Sequence, residues 1–199
     1  MQVSIPELKR ERVTFTIEGD SGFIVHKWAD KAKNEIKDNQ GGKAKHKKGI
    51  RNPEQEFRDA LYVFKNNGKE QYGFPGGGFK KAGVRAANDA GMKMTDARRS
   101  FHVIGSLGNG EFVEIKGCKP TMREDMVKLA GGGVADIRYR PEFKNWYVDL
   151  DIDYNSSVIS AEQIINLFQL AGFGVGVGDW RPEKNGSFGM FHVKTNGGK

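Results

Sequence analysis

Hydrophobic and polar residues alternate in several stretches of the chain, a pattern typical of β-strands that bury one face. The first stretch is residues 12–19, RVTFTIEG. Two more strands are predicted within residues 135–155, ADIRYRPEFKNWYVDLDIDYN, with Pro141 to Asn145 as their connection. A last strand is predicted near residues 188–194, so strands occur at both ends of the chain.

Asn-Gly pairs mark two candidate hairpins, because both residues tolerate the left-handed backbone of a two-residue turn. Asn109-Gly110 interrupts FHVIGSLGNGEFVEIKG and is the clearer of the two. Asn67-Gly68 follows a predicted helix that begins at Asn52 and Pro53, with Gln55 placed to reach back to the cap. This hairpin forms only if that helix ends early.

Three further helices are predicted. Residues 79–91, FKKAGVRAANDAG, are good helix formers and end in a glycine suited to a C-cap. Residues 122–133, MREDMVKLAGGG, are predicted as a short helix closed by glycines. Ser160 is placed to cap the last helix, which has one apolar stripe made of Ile164, Leu167, Phe168 and Ala171.

The order of these elements favours an antiparallel α+β fold, because hairpins rather than long crossovers join the strands. The simplest plan is a split β-α-β arrangement: strand 12–19, helix near 78–90, a central hairpin or two, helix 160–171 and a strand near 188–194. We therefore predict a ferredoxin-like (RRM-like) antiparallel sheet with helices on one face and basic loop and hairpin insertions.

Length and composition favour one domain over residues 1–199, since 37% of the residues are hydrophobic. The single cysteine, Cys118, excludes an internal disulfide and a cysteine-based zinc site, and it fits a reduced compartment. No apolar run approaches membrane-spanning length, and the N-terminus lacks the apolar core of a signal peptide. We therefore expect a soluble cytoplasmic protein without a membrane partner.

The formal charge of +7 is concentrated in one segment. Residues 27–51 hold nine Lys or Arg against three acids, and GGKAKHKKG within them has no apolar face. We predict a basic, mobile insertion here, either a solvated loop or an arm that contacts phosphates. The candidate contacts are Lys43, Lys45, His46, Lys47, Lys48 and Arg51.

A second basic segment follows three consecutive glycines in FPGGGFKKAGVRAA, residues 74–87. Amides at Gly76, Gly77 and Gly78 would approach phosphate oxygens closely, and Lys80, Lys81 and Arg85 would add charge near a positive helix end. Alternatively, the glycines only permit a tight strand-to-helix turn and Arg85 pairs with Asp89.

The C-terminal stretch places Trp180 beside Arg181, followed by Lys184. Bases of a single strand stack on indole and guanidinium groups, which makes these three residues binding candidates. A core tryptophan beside an exposed arginine is the alternative. The glycine spacing GFGVGVGDW differs from the dinucleotide pattern and the Walker pattern is absent, so no cofactor is predicted.

Two motifs resemble the RAMP superfamily, the RNA-binding proteins of CRISPR effector complexes. FPGGGFKKAGVRAA is similar to the proline, small residues and lysine-glycine-x-x-arginine that lead into the first core helix of that family. LAGFGVGVGDWRPEKNGSFGMFHV is similar to its glycine-rich loop and terminal strand. The chain departs in having alanine-glycine where the family usually has one glycine after its lysine. The nearest resemblance, to the backbone-forming subunit, implies RNA binding and a homo-oligomer assembled side by side along a strand.

Catalysis has little support in the sequence, and we predict a protein that is not an enzyme. Asp149, Asp151 and Asp153 share one strand face, as in a metal-dependent nuclease or an ordinary solvent-facing strand edge. Some CRISPR backbone subunits cut RNA with one loop aspartate, for which Asp30 is a candidate. We predict no metal site.

The predicted function is binding of RNA or single-stranded nucleic acid without sequence specificity. Two alternatives stay open: an assembly or protein-interaction subunit, for example of a bacteriophage, with the same fold and no nucleic-acid ligand, and a metal-dependent nuclease.

Overall fold

The computed structural model describes residues 7–27, 51–128 and 135–195. The elements in chain order are β1 (Arg10–Gly19), β2 (Phe23–Ile24), α1 (Pro53–Asp59), β3 (Tyr62–Asn66), β4 (Lys69–Pro75), α2 (Gly76–Asp89), α3 (Met94–Ser100), β5 (Phe101–Ile104), β6 (Phe112–Ile115), β7 (Thr121–Lys128), β8 (Ala135–Phe143), β9 (Tyr147–Asn155), α4 (Ala161–Gly174), a short 3-10 helix (Pro182–Lys184) and β10 (Phe191–Val193).

A four-stranded sheet in the order β10-β1-β9-β5 forms the centre of the fold. All three strand pairs in it are antiparallel. Helix α2 connects β1 to β5 and helix α4 connects β9 to β10, and each of these connections passes over one intervening strand. The two units are split β-α-β motifs, which confirms the predicted α+β, ferredoxin-like arrangement.

Both long helices cover the same face of this sheet. The ring of Phe168 on α4 lies 5.5 Å from that of Phe15 on β1 and 6.0 Å from that of Phe101 on β5. Phe79 on α2 contacts Phe191 on β10 at 6.4 Å between ring centroids. The alternating apolar residues of the strands therefore bury against the helices, and their polar neighbours form an open face.

Two three-stranded sheets, β2-β8-β7 and β3-β4-β6, are built from the chain inserted between core elements. Phe23 on β2 is fully buried and joins them to the core. Its ring lies 4.9 Å from Phe74 on β4 and 4.8 Å from Trp146. The Trp146 indole N–H donates to the Ser21 carbonyl at 2.8 Å, so this buried polar group is satisfied.

The N-terminal part of α1 agrees only in part with the sequence prediction. Asn52 caps the helix by accepting a hydrogen bond from the Gln55 N–H at 3.2 Å. The Gln55 side chain donates forward to Asp59 instead of reaching back, so the capping box is not formed. The helix ends at Asp59, and the hairpin β3-β4 forms with Asn67 and Gly68 at positive φ, as predicted for an early helix end.

The hairpin predicted around Asn109-Gly110 is reduced to a single antiparallel bridge between Leu107 and Phe112. Strand β5 pairs with β9 and β6 pairs with β4, so the two flanking strands belong to different sheets. Asn109 and Gly110 do adopt positive φ, in a compact turn closed by the Gly105 N–H on the Gly110 carbonyl at 2.8 Å. The local turn signal was correct, but tertiary pairing decided the partners.

The helix predicted at residues 122–133 is wrong within the described residues. Thr121–Lys128 is strand β7, paired with β8 over eight positions. From Met122 to Val127 its side chains alternate between exposed and inward, with Asp125 buried. Good helix formers thus adopt a strand because pairing with β8 overrides local preference. Pro141 lies inside β8 rather than in the connection to β9.

Helix α4 forms as its sequence predicts. The Ser160 hydroxyl accepts from the Gln163 N–H at 3.2 Å, and the Gln163 side chain accepts from the Ser160 N–H at 2.9 Å, which completes a capping box. The predicted apolar stripe is buried, at Ile164, Leu167, Phe168 and Ala171.

Glycine-to-alanine changes at two positions of α4 test the helix–strand packing. A Cβ at Gly172 would overlap the Phe191 carbonyl oxygen of β10, whereas one at Gly174 meets nothing within 4 Å among the described atoms. We expect Gly172→Ala to lower the free energy of unfolding by about 1–3 kcal/mol. Gly174→Ala should be neutral or stabilising by about 0.5–1 kcal/mol. Urea unfolding of both variants measures this; equal effects would contradict the close approach.

Candidate nucleic-acid interface

The three glycines of the PGGG motif form the first turn of α2, so this helix begins three residues earlier than predicted. None of them has a positive φ. A Cβ at Gly78 would overlap the ring of Phe74, so packing requires this glycine. Gly77 is exposed, and a Cβ there would meet nothing within 4 Å among the described atoms. Packing thus accounts for Gly78 and not for Gly77.

The amino end of α2 presents backbone donors. Pro75 precedes the helix and supplies no side-chain cap. The Gly76 N–H donates to the Glu111 carbonyl at 2.8 Å. First-turn N–H groups have no acceptor within their own helix, and the helix dipole makes this end positive. The exposed Gly77 therefore lies where an anion is favoured.

One exposed stripe runs along α2 from this end, which we call the α2 stripe: Gly77, Lys81 and Arg85. These residues are spaced by four and are all exposed, whereas Ala82, Gly83, Val84 and Ala86 beside them are buried. Residues four apart lie on one helix face, about 6 Å apart along the axis. The stripe therefore aligns two cations with the helix amino end.

The glycine-rich loop, residues 175–190, returns the chain from α4 to β10 in a fixed path. Its Asp179 N–H donates to the Ile24 carbonyl at 3.0 Å, and its Gly189 N–H donates to the Gly22 carbonyl at 2.8 Å. Gly178 has a positive φ, and a Cβ there would overlap the Ile24 carbonyl oxygen. The glycines thus permit close backbone packing against the chain around β2.

This loop meets the α2 stripe at Glu183. The Arg85 Nε lies 3.1 Å from Glu183 Oε1, and the Arg181 Nη2 donates to Glu183 Oε2 at 2.7 Å. The Arg181 hydrogen bond lowers the pKa of the Glu183 carboxyl against the opposing effect of burial, and the charges of Arg181, Arg85 and Lys184 lower it further. The alternative pairing of Arg85 with Asp89 is replaced by this contact across the fold.

Trp180 lies on the opposite side of the loop from this contact with α2. The residue is 38% exposed, and its indole lies 5.4 Å from the guanidinium of Arg123 on β7 and 5.5 Å from that of Arg140 on β8. Its φ is +54, an unusual backbone state for a bulky residue that costs about 1–3 kcal/mol. The fold thus holds a strained, partly exposed aromatic ring beside cations; it is not the core tryptophan of the alternative.

Lys80 is separated from the other predicted cations of α2. Its Nζ lies 3.0 Å from the Nδ1 atom of His102, at the edge strand β5. Burial lowers the pKa of Lys80. The pKa of His102 is lowered by burial first and then by the charge of Lys80. Lys80 therefore belongs to the sheet edge and not to the α2 stripe.

The basic segment 27–51 lies mostly outside the described residues, including Asp30, Lys43, Lys45, His46, Lys47 and Lys48. Arg51 is described and makes a structural contact. Its Nε donates to Glu56 at 2.7 Å and its Nη1 donates to Asp136 of β8 at 2.6 Å. Arg51 therefore ties α1 to β8.

The open face of the central sheet carries an acidic row whose members all have partners. Asp149 accepts from Thr16 and Lys116, and Asp151 accepts from Thr14. Asp153 is 5% exposed and is paired with two arginines, Arg10 and Arg12. In residues 7–27, 51–128 and 135–195, no group of three or more His, Cys, Asp or Glu is placed to hold a metal ion. These contacts favour the interpretation of the row as an ordinary strand face over that of a metal site.

Two contributing residues were missed from the sequence. Glu183 lies two residues after Arg181, and the intervening Pro182 starts a 3-10 helix that turns both side chains together. Arg123 was assigned to a helix, and its contacts with Trp180 and with Phe188 at 4.5 Å exist only because this segment is a strand. The Arg-Pro-Glu sequence at residues 181–183 was the only local signal for the contact of Arg181 with Glu183.

The sequence matches no protein-family profile and no curated protein. Among solved structures, the chain is similar to the crystal structure of Cmr6 from Pyrococcus furiosus. The similarity covers 94% of this chain and 100% of that chain, with a TM-score of 0.48 and 10% sequence identity. A similarity at this level does not assign a function. Within the described part of the chain, no helix has the length and apolar character needed to span a membrane.

The Asp153 cluster predicts a defined pH dependence of stability. Hydrogen bonds from Arg12 and then Arg10 lower the pKa of Asp153 to about 2, against about 3.9 in an unfolded chain. Its stabilisation is therefore complete above about pH 5 and is lost as pH falls toward 2, by up to about 2.5 kcal/mol. Urea unfolding from pH 6 to 2.5 should show Asp153→Asn destabilised at pH 6, with a gap to wild type that closes at low pH.

Asp151→Asn is the matched control, since the Asp151 carboxylate accepts from the neutral Thr14 hydroxyl instead of from arginine. A gap between Asp153→Asn and wild type that stays constant with pH would contradict the assignment.

Proposed function

We propose that this chain binds RNA or single-stranded nucleic acid without sequence specificity, as a binding protein and not as an enzyme. The observation that carries the proposal is the convergence of two basic segments, distant in sequence, on one surface. Arg85 of the α2 stripe and Arg181 of the glycine-rich loop meet at Glu183. We call this surface the basic surface: Gly77, Lys81, Arg85, Arg181 and Lys184.

Phosphate contacts supply most of the affinity in non-specific nucleic-acid binding. The basic surface carries four cations against one acid, Glu183. At Gly77 this surface includes the positive end of α2, where backbone N–H groups favour anions.

Trp180 supplies a place for a base on the other side of the same loop, beside Arg123 and Arg140. Its indole is partly exposed, and base stacking on an aromatic ring contributes about 1–3 kcal/mol without reading sequence. The strained backbone at Trp180 is a feature that folds retain mainly at functional positions.

The resemblance to the RAMP superfamily supports the same proposal. The motifs that carry it form the strand-to-helix junction at α2 and the loop before β10. Side-by-side assembly along a strand, which the resemblance implies, stays a prediction.

A protein-interaction role is the second candidate, and one feature favours it. A groove of about 370 Å³ between α2 and α4 is lined mainly by apolar side chains, including Met92 and Leu167. Val158 and Leu170 at its rim are 54% and 52% exposed. An absence of nucleic-acid binding in the experiment below would favour this role.

Adjacent lysines of α2 provide a direct test. Lys81→Ala removes a cation of the basic surface, and we expect it to weaken binding of a single-stranded oligonucleotide and to reduce the salt slope by about 0.7. Lys80→Ala removes the same charge one residue away, at the sheet edge, and should leave the slope unchanged. Fluorescence anisotropy at several salt concentrations measures both. Equal effects of the two substitutions would contradict the proposed surface.

Gly77 allows stability and binding to be separated. Gly77→Asp removes the entropic cost of glycine and adds an acid in the first turn of α2, so we expect about 0.5–1 kcal/mol of added stability. The same carboxylate should repel phosphates and weaken binding severalfold. Gly77→Ala should gain stability without the repulsion. Thermal unfolding and anisotropy test this; an Asp variant that binds like the Ala variant would place the ligand elsewhere.

A further inference from the structure

Two arginines from distant parts of the chain hold one carboxylate. Arg85 belongs to α2, and Arg181 precedes the 3-10 helix that carries Glu183. Arg181 places both Nε and Nη2 on Glu183 Oε2, at 3.2 and 2.7 Å, while the Arg85 Nε lies 3.1 Å from Oε1. Each carboxylate oxygen thus faces a different guanidinium.

Two guanidinium groups around one anion form an arrangement that also suits a phosphate group. A guanidinium presents several N–H donors in a plane, which suits two oxygens of a carboxylate or a phosphate equally. A phosphate group is also an anion, so it can take the place of the Glu183 carboxylate between the two guanidinium groups. A carboxylate on the protein then fills the place of the ligand until the ligand arrives.

We infer that Arg85 and Arg181 form a phosphate-binding clamp and that Glu183 occupies it as an internal competitor. The inference rests on the proposed function and adds the position of one phosphodiester group and the residue that regulates access to it. Binding of the strand then requires the Glu183 side chain to leave and one phosphate to enter.

The structure allows this exchange by movement of a side chain. The backbone at Glu183 is fixed, because its N–H donates to the Val175 carbonyl at 3.2 Å and Pro182 restricts the residue before it. The Arg85 side chain is 51% exposed, so solvent and ligand reach the clamp from this side. A phosphate that replaces the carboxylate keeps both guanidinium groups paired with an anion, so the exchange leaves no unpaired charge.

The charges around the clamp hold Glu183 in its competing state. Arg181, Arg85 and Lys184 all act to lower the pKa of its carboxyl, so it is ionised at neutral pH. Glu183→Gln keeps the size of the side chain and removes its charge. The amide holds a guanidinium less strongly than a carboxylate does, which frees the clamp for a phosphate.

The test uses the full chain and a fluorescently labelled 20-nucleotide oligo(U) RNA. We expect Glu183→Gln to bind about 3–10-fold more tightly than wild type, because no carboxylate then has to leave the clamp before a phosphate enters it. Glu162→Gln is the matched control. It makes the same change of net charge in the first turn of α4, where Glu162 is exposed. It should bind like wild type.

A double-mutant cycle locates the gain at the clamp. Arg85→Ala should weaken binding by the wild type less than it weakens binding by Glu183→Gln, because in the wild type the lost phosphate contact is partly offset by the loss of a partner that holds Glu183 in the clamp. In the Glu183→Gln background the same change should cost several-fold, since Arg85 is then free for the phosphate. Equal costs in both backgrounds would overturn the inference.

The outcomes separate the two levels of the proposal. If wild type binds and Glu183→Gln binds no better than Glu162→Gln, the clamp is overturned and the proposed function stands. If wild type and every variant fail to bind, both are overturned. Should Glu183→Gln unfold, Glu183→Asp replaces it: the shorter side chain reaches one arginine only, and an affinity no higher than wild type would count against the clamp.

Discussion

The close contact between α4 and β10 is the constraint on which the rest of the structure depends. Gly172 lies so near the Phe191 carbonyl that a methyl group has no room. This contact sets the start and the end of the glycine-rich loop, because the loop must leave α4 and enter β10 beside it. The positions of Arg181 and Trp180 follow from the loop's path, and so does the contact of Glu183 with Arg85.

The strand register decides which charged side chains meet on the open face of the central sheet. Alternation along β9 buries Val148, Leu150 and Ile152 against the helices and turns an aspartate outward at every second position. The outward residues of β1 then supply arginine or threonine partners directly opposite these acids. Each aspartate of the open face is therefore held by a hydrogen-bond or ion-pair partner, and the network as a whole is close to neutral.

Local signals in the sequence predicted the elements that depend on neighbouring residues. The cap at Ser160, the apolar stripe of α4 and the turn at Asn67-Gly68 all form as expected, because each is decided within a few residues. Strand β7 could not be predicted in this way, since its helix-forming residues become a strand only through pairing with β8. The contact of Arg85 with Glu183 joins positions almost one hundred residues apart, so only the three-dimensional fold reveals it.

The pairing of β1 has a consequence for how the chain folds. Its partners are β9 and β10, and the side-chain contacts that join them span 137 residues at Thr14–Asp151 and 176 residues at Glu18–Lys194. Such distant pairings are slow to form, because the entropy of loop closure must be overcome before any contact compensates for it. A ribosome delivers β1 before β9 and β10. The apolar face of this strand therefore stays uncovered until its neighbours have been synthesised, and during that interval it is exposed to aggregation.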